Sequence, residues 1–175
     1  MFAAEIRKRR VAGVLSSGWR WHLDEVFVKI NGQQHYLCRA VDHEDEVLES
    51  FVTKRRDKKA ALKFLKKTLN RHSHAAEIVM DRLRSYGVTP KKLGIHDRQE
   101  TGRRESNRAE NSHQPFRRRE RAMLRFRRMR TLQKFAAVHA SVHNHFSRER
   151  ALHSRLNYKL NRAAALADWR GLLAA

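Results

Sequence analysis

The sequence predicts an α/β fold: a mixed sheet with flanking helices and a long basic helix after the last strand. Three observations predict it. Residues 21–53 hold three consecutive strand-like runs. Short apolar runs then alternate with segments of helical period. An apolar fraction of 41% is enough for a folded core rather than a disordered basic tail. The length of 175 residues suits one domain with a sizeable core.

The elements follow in order. Residues 1–20 read as a basic lead-in: Arg7, Lys8, Arg9 and Arg10, then the linker-like Ser16-Ser17-Gly18. Residues 2–10 could form a short helix. Residues 21–30 form a strand whose two parities, His22/Asp24/Val26/Val28/Ile30 and Trp21/Leu23/Glu25/Phe27/Lys29, are both largely apolar. A central strand covered on both sides reads this way. Asn31-Gly32 then signals a type I′ hairpin. Strands over 34–41 and Val47–Thr53, joined by an acidic turn, complete a three-stranded meander. Asp57 can cap a helix over 58–70, with Ala61, Leu62, Phe64, Leu65 and Leu69 on one face and lysines opposite. Glu77–Met80 is a short apolar strand ending at Asp81. Residues 83–93 read as helical, 95–98 as a further short strand and 99–106 as a polar loop. From 107 to 146 the pattern is helical, with Met123, Phe126, Met129, Leu132, Phe135, His139, Val142 and Phe146 at three-to-four spacing. Pro115 should kink or restart that helix. A last helix over 163–173 carries Leu166, Trp169 and Leu173 on one face.

Charge and cysteine usage exclude whole classes. The net charge is +21, which points to a polyanionic partner, most simply nucleic acid. Residues 101–130 alone hold eleven arginines against three glutamates. One cysteine cannot form an internal disulfide, so a disulfide-stapled secreted domain is excluded. No apolar run is long enough for a membrane-spanning helix, and residues 1–10 lack the apolar stretch of a secretory signal. The expected compartment is the bacterial cytoplasm, in association with the nucleoid. Cys38, in a strand, reads as a small buried hydrophobe. His139 and His143 stand four apart on a helix, yet no third metal ligand is evident. His143-Asn144-His145 spells the letters of a nuclease family whose residues are not consecutive, so it carries no weight. A Gly-rich phosphate loop is lacking.

Three acids sit where plain folding does not favour them. Asp24 lies mid-strand on an apolar face, although Asp is depleted in strands and a buried carboxylate must be paired or metal-bound. Asp81 stands where a strand ends, the edge at which open α/β sheets bind ligands. Glu110 opens a basic helix. Each has a structural alternative: Asp24 in a salt bridge with a neighbouring arginine, Asp81 capping the next helix, and Glu110 closing a capping box with Asn107. Together, among basic surroundings, they favour a divalent-metal site.

Longer motifs surround these acids. Trp21-His22-Leu23-Asp24-Glu25 resembles the opening motif of bacterial insertion-sequence transposases of the Asp-Asp-Glu type. Val79-Met80-Asp81-Arg82-Leu83-Arg84-Ser85-Tyr86-Gly87 is similar to their second motif. Asn107-Arg108-Ala109-Glu110-Asn111-Ser112-His113-Gln114-Pro115, followed by Arg117-Arg118-Arg119-Glu120-Arg121, is similar to their third. The Arg56-Asp57-Lys58-Lys59-Ala60-Ala61 segment and the tail around 163–169 are also similar. The resemblance covers about residues 19–170 and points to the insertion-sequence-six family.

The resemblance implies a ribonuclease-H-like integrase catalytic core over residues 21–150, with 151–175 a helical extension packed on it. It implies that Asp24, Asp81 and Glu110 are catalytic and hold two Mg²⁺ ions, with Mn²⁺ as a substitute. The implied reaction is strand cleavage and strand transfer on DNA, both transposon ends and target, by a homo-oligomer. Asn107, His113, Arg117, Arg118, Arg119 and Arg121 would contact DNA; a surface role is the alternative for His113. Family members carry a DNA-binding region ahead of the core, whereas only about 20 residues precede the first motif here. The alternative is therefore a truncated, non-catalytic DNA-binding remnant.

Overall fold

The computed structural model describes residues 20–42, 46–72, 75–80, 99–100, 107–123, 126–146 and 154–174. Among the described residues nine elements follow one another: β1 (Arg20–Ile30), β2 (Gln33–Val41), β3 (Val47–Thr53), α1 (Lys58–His72), β4 (Glu77–Met80), β5 (Gln99–Glu100), α2 (Asn107–Ala122), α3 (Met129–Phe146) and α4 (Arg155–Ala174). The strands form one sheet in the order β3-β2-β1-β4-β5. The first three run antiparallel, β4 pairs parallel with β1, and β5 pairs parallel with β4. The expected meander and mixed sheet are both present. Asn31 and Gly32 have φ of 50° and 80°. A type I′ turn requires positive φ at both central residues.

Each face of β1 has its own cover. Trp21 and Leu23 cluster with Cys38 and Ala40 and with Ala61, Phe64 and Leu65 of α1. Val28 and Ile30 cluster on the other face with Phe116 of α2 and with Leu132 and Ala136 of α3. This two-sided burial is why neither parity of β1 is polar. Asp57 starts α1 by accepting the Ala60 N–H at 2.8 Å.

The edge strand β3 is closed by side chains of α3. Gln133 accepts the Val52 N–H at 2.8 Å and donates to the Ser50 carbonyl at 2.7 Å. Asn144 accepts from Val47 N–H and donates to the Val47 carbonyl, both at 2.9 Å. Eleven helical residues rise by about 16 Å, as do five strand residues, so the two clips fall in step along antiparallel elements. The exposed ladder of an edge strand is thereby filled.

Several expectations need correction. Residues 99–100 belong to a strand, not to a loop; a peripheral strand pairs through its backbone and needs no apolar side chains. The helix continues through Pro115, and the chain breaks between α2 and α3 instead. Phe126 explains the break: it pairs with Ile30 beside the hairpin and is buried there, while Asn31 Nδ2 donates to the Arg127 carbonyl at 2.9 Å. Helical periodicity therefore ran through a segment that is not helical, and Met123 and Met129 on either side are exposed. Helix α4 begins at Arg155, eight residues before the expected start, because Ser154 caps it through the Asn157 N–H and the Tyr158 N–H. Among the described residues Ala165 is its buried position, Trp169 packs against Phe146, and Leu166 faces solvent. The expected elements at 2–10, 83–93 and 95–98 lie outside the described residues.

Candidate active site

The site is built around Asp24 near the middle of β1. It shares a parity with Val26 and Val28, so it faces α2 rather than α1. Its Oδ1 accepts the Glu25 N–H at 2.7 Å. Oδ2 lies 3.3 Å from His113 Nε2, and the Asp24 side chain is 14% exposed. Across the hairpin the residue directly opposite Asp24 is Arg39, itself 1% exposed. The arginine neighbour considered for Asp24 is therefore Arg39, its cross-strand partner in the ladder.

Arg39 is the site residue that the sequence did not single out. Its signal was a lone cation inside the apolar run Tyr36-Leu37-Cys38-Arg39-Ala40-Val41. Burial lowers its pKa to about 10, partly offset by the Asp24 carboxylate, so it stays charged at neutral pH. A guanidinium survives in such a place only beside a counter-charge.

His113 comes from α2, two residues before Pro115 and three before the core residue Phe116. It is buried, which overturns a surface role. Burial depresses its pKa first of all; the Asp24 carboxylate pulls the other way, and Arg39 and Arg117 add to the depression. The imidazole is thus neutral at pH 7. Neither ring nitrogen has a well-aligned hydrogen bond among the described residues. His139 and His143, stacked with centroids 5.9 Å apart, also feel the charge of Arg39. Burial, then Arg39, then His143 push His139 down to about 4. Burial and Arg39 also lower His143.

The remaining predicted residues divide clearly. Glu110 and Asn107 lie in the first turn of α2, with side chains outside the description. Asp81 follows Met80 in the chain and lies outside the described residues. The parallel register of β1 and β4 ends with Leu23 opposite Met80, one residue before Asp24. Arg117 pairs with Glu120 at 2.6 Å, while Arg118, Arg119 and Arg121 are exposed. No group of three or more potential metal ligands comes together among the described residues. Cys38 is buried in the core as expected, its Sγ 3.8 Å from Glu25 Oε1. His145 Nε2 lies 2.7 Å from the Ala165 carbonyl and Asn144 clips β3, so that run of residues serves packing.

This geometry can be set beside known proteins. A family model described as a DDE domain, of the IS240 transposase type, matches residues 18–149. The chain belongs to the insertion-sequence-six family of Asp-Asp-Glu transposases. A transposase for an IS431mec insertion-sequence-like element from Staphylococcus aureus is 31% identical over 75 residues, or 43% of this chain and 34% of that protein. The chain thus matches about a third of the length of that relative. Among solved structures, the HTLV-2 integrase catalytic core in complex with magnesium superposes with a TM-score of 0.56 at 11% identity. That match covers 76% of this chain and 87% of the integrase core. The BIV integrase catalytic core gives 0.51 at 13% identity, covering 88% and 99%. The fold is that of an integrase catalytic core, ribonuclease-H-like, as expected. Among the described residues no helix is long and apolar enough to cross a membrane.

Proposed function

We propose that this chain is the catalytic core of a transposase that cleaves DNA strands and joins them to a target. The observation that carries the reading is a carboxylate, Asp24, held inside an integrase-type sheet beside a buried cation and across from α2. Family membership supports the rest of the constellation. In the sequence Asp81 directly follows Met80, the last residue of β4, and β4 is the parallel neighbour of β1. Glu110 precedes His113 by three residues, one helical turn along α2.

The donor set suits the implied metal. Carboxylate oxygens are the ligands Mg²⁺ prefers, and Mn²⁺ accepts them equally. Asp24, Asp81 and Glu110 would hold two such ions, which when bound stabilise charge on the attacking and leaving oxygens. Three carboxylates beside one buried guanidinium leave an excess of negative charge, as a divalent-cation site requires. Arg39 limits the mutual repulsion of these acids and fixes Asp24 from the opposite strand. His113 backs the other side of the Asp24 carboxylate as a neutral imidazole. Water, or a freed 3′-hydroxyl, attacks the phosphodiester in line; the new P–O bond forms as the bond to the leaving oxygen breaks. Arg117, Arg118, Arg119 and Arg121 extend along α2 from the site and would neutralise the DNA backbone, with Asn107 at the helix start. Handling two element ends calls for a homo-oligomer on DNA in the bacterial cytoplasm.

The test is strand joining. Duplexes ending in the DNA that flanks the reading frame, already nicked at the 3′ end, are incubated with a target plasmid and Mg²⁺. The full chain should join them, and Asp81→Asn and Glu110→Gln should lower the rate at least 10³-fold while binding the same duplex. Joining that survives both substitutions would overturn the proposal.

A further inference from the structure

The lysine face of α1 remains unexplained by the reaction. Buried Ala61, Phe64, Leu65 and Thr68 define the inner side of this helix. Lys59, Lys63 and Lys66 lie directly opposite, at i, i+4 and i+7, and all three are exposed. Lys54, Arg55 and Lys58 extend the patch at the helix start. Three neighbouring cations are neutralised: Lys67 and Arg71 by Glu49 at 3.3 and 2.7 Å, and Arg56 by Glu25 at 2.9 Å. Lys54, Arg55, Lys58, Lys59, Lys63 and Lys66 make no ion pair among the described residues.

The arrangement is unfavourable for the isolated protein. Like charges four apart on a helix repel. Lys58 and Lys59 stand in a first turn that holds no acid, against the helix dipole. Lys63 and Lys67 both rest over the Phe51 ring, at 5.6 and 5.8 Å, which restrains their stems. From Lys59 to Lys66 the stripe runs about 10 Å along the helix, long enough to follow several phosphates of one strand. A row of cations without ion pairs fits a polyanion of regular spacing.

Its position matters as much as its charge. Helix α1 covers the face of β1 that carries Trp21 and Leu23. Asp24, α2 and its arginines are on the other face. The lysines of α1 and the arginines of α2 therefore belong to helices on opposite faces of the sheet. We propose that the Lys59/Lys63/Lys66 face of α1 is a second duplex-DNA surface, contacting phosphates of a segment other than the one at the acidic site. It extends the catalytic reading but does not depend on catalysis.

The experiment measures binding of a random-sequence 30-base-pair duplex to the full chain by anisotropy across a salt series. Three proteins are compared: wild type, Lys59→Gln/Lys63→Gln/Lys66→Gln and Arg118→Gln/Arg119→Gln/Arg121→Gln. Glutamine keeps helix propensity, and circular dichroism checks the fold. Each lost phosphate contact lowers the slope of log K against log salt by about 0.9, so the lysine variant should lose about 2–3 and bind at least tenfold more weakly. Its strand joining of short ends should stay within about twofold of wild type. Should the triple variant misfold, Lys59→Gln/Lys66→Gln should still lose about 1–2 in slope. An unchanged slope and affinity would overturn the proposal. So would lysine-dependent binding to phosphatidylglycerol vesicles with DNA binding untouched. Joining that fails while the lysine-dependent slope persists sinks the catalytic reading alone; intact joining with an unchanged slope sinks this one alone.

Discussion

Asp24 and Arg39 face each other across β1 and β2 with little water to screen them. Removing one member of such a pair leaves the other uncompensated, at a cost of about 3–5 kcal/mol. Arg39→Met should therefore lower the urea-derived unfolding free energy by about that amount, and Arg39→Lys by less. A cost below about 1 kcal/mol would mean that Asp24 and Arg39 are not coupled. The histidines beside Arg39 give a pH signature. His139 is held near 4, below its ordinary 6.5, so the unfolded chain binds the proton first. Stability contributed by this group is full above about 6.5 and is lost as pH falls toward 4. Allowing for partial exposure, the loss is about 2 kcal/mol. Melting temperature should drop less steeply between pH 6.5 and 5 in His139→Leu than in wild type. At this scale the sequence was half legible. Asp24 stood out as a carboxylate in an apolar strand. Arg39 had the same signature in β2, but pairing the two requires the hairpin register, which becomes readable only once Asn31-Gly32 is accepted as a two-residue turn.

Among elements, the clip between α3 and β3 is the least expected feature. In the sequence Gln133 and Asn144 are ordinary polar residues within a helical segment. They act instead as surrogate strand groups, because β3 is an edge and its N–H and C=O groups need partners. Asn144→Leu deletes both bonds to Val47 and should cost about 1–3 kcal/mol, measured by thermal unfolding. Freeing the edge should also raise aggregation on concentration, checked by light scattering. Other element-level differences have the same kind of cause. The break between α2 and α3 was hidden because Phe126 keeps helical spacing while packing beside Ile30. The early start of α4 was hidden because Leu156 and Leu160 in its first half are exposed, so burial does not mark it; the Ser154 cap does. Strands β1 to β4 and α1 followed directly from alternation, the hairpin turn and the Asp57 cap.

For the molecule as a whole, two helical layers enclose one mixed sheet, and positive charge is carried on both sides. The sheet order β3-β2-β1-β4-β5 makes β1 central and sets parallel β4 beside it. That placement sets β4, which Asp81 follows in the chain, next to the strand that carries Asp24. Composition pointed to a polyanionic partner, and long motifs pointed to the family. Neither could supply the buried guanidinium opposite Asp24. The central claim is that Asp24, Asp81 and Glu110 bind divalent metal together. Isothermal calorimetry of Mn²⁺ binding to the full chain, wild type against Asp24→Asn and Glu110→Gln, tests it most directly. Wild type should bind at about millimolar affinity or tighter, and each substitution should weaken binding at least tenfold, about 1.4 kcal/mol, with the circular dichroism spectrum unchanged. Equal binding by all three folded proteins, or none by wild type with DNA present, would contradict it.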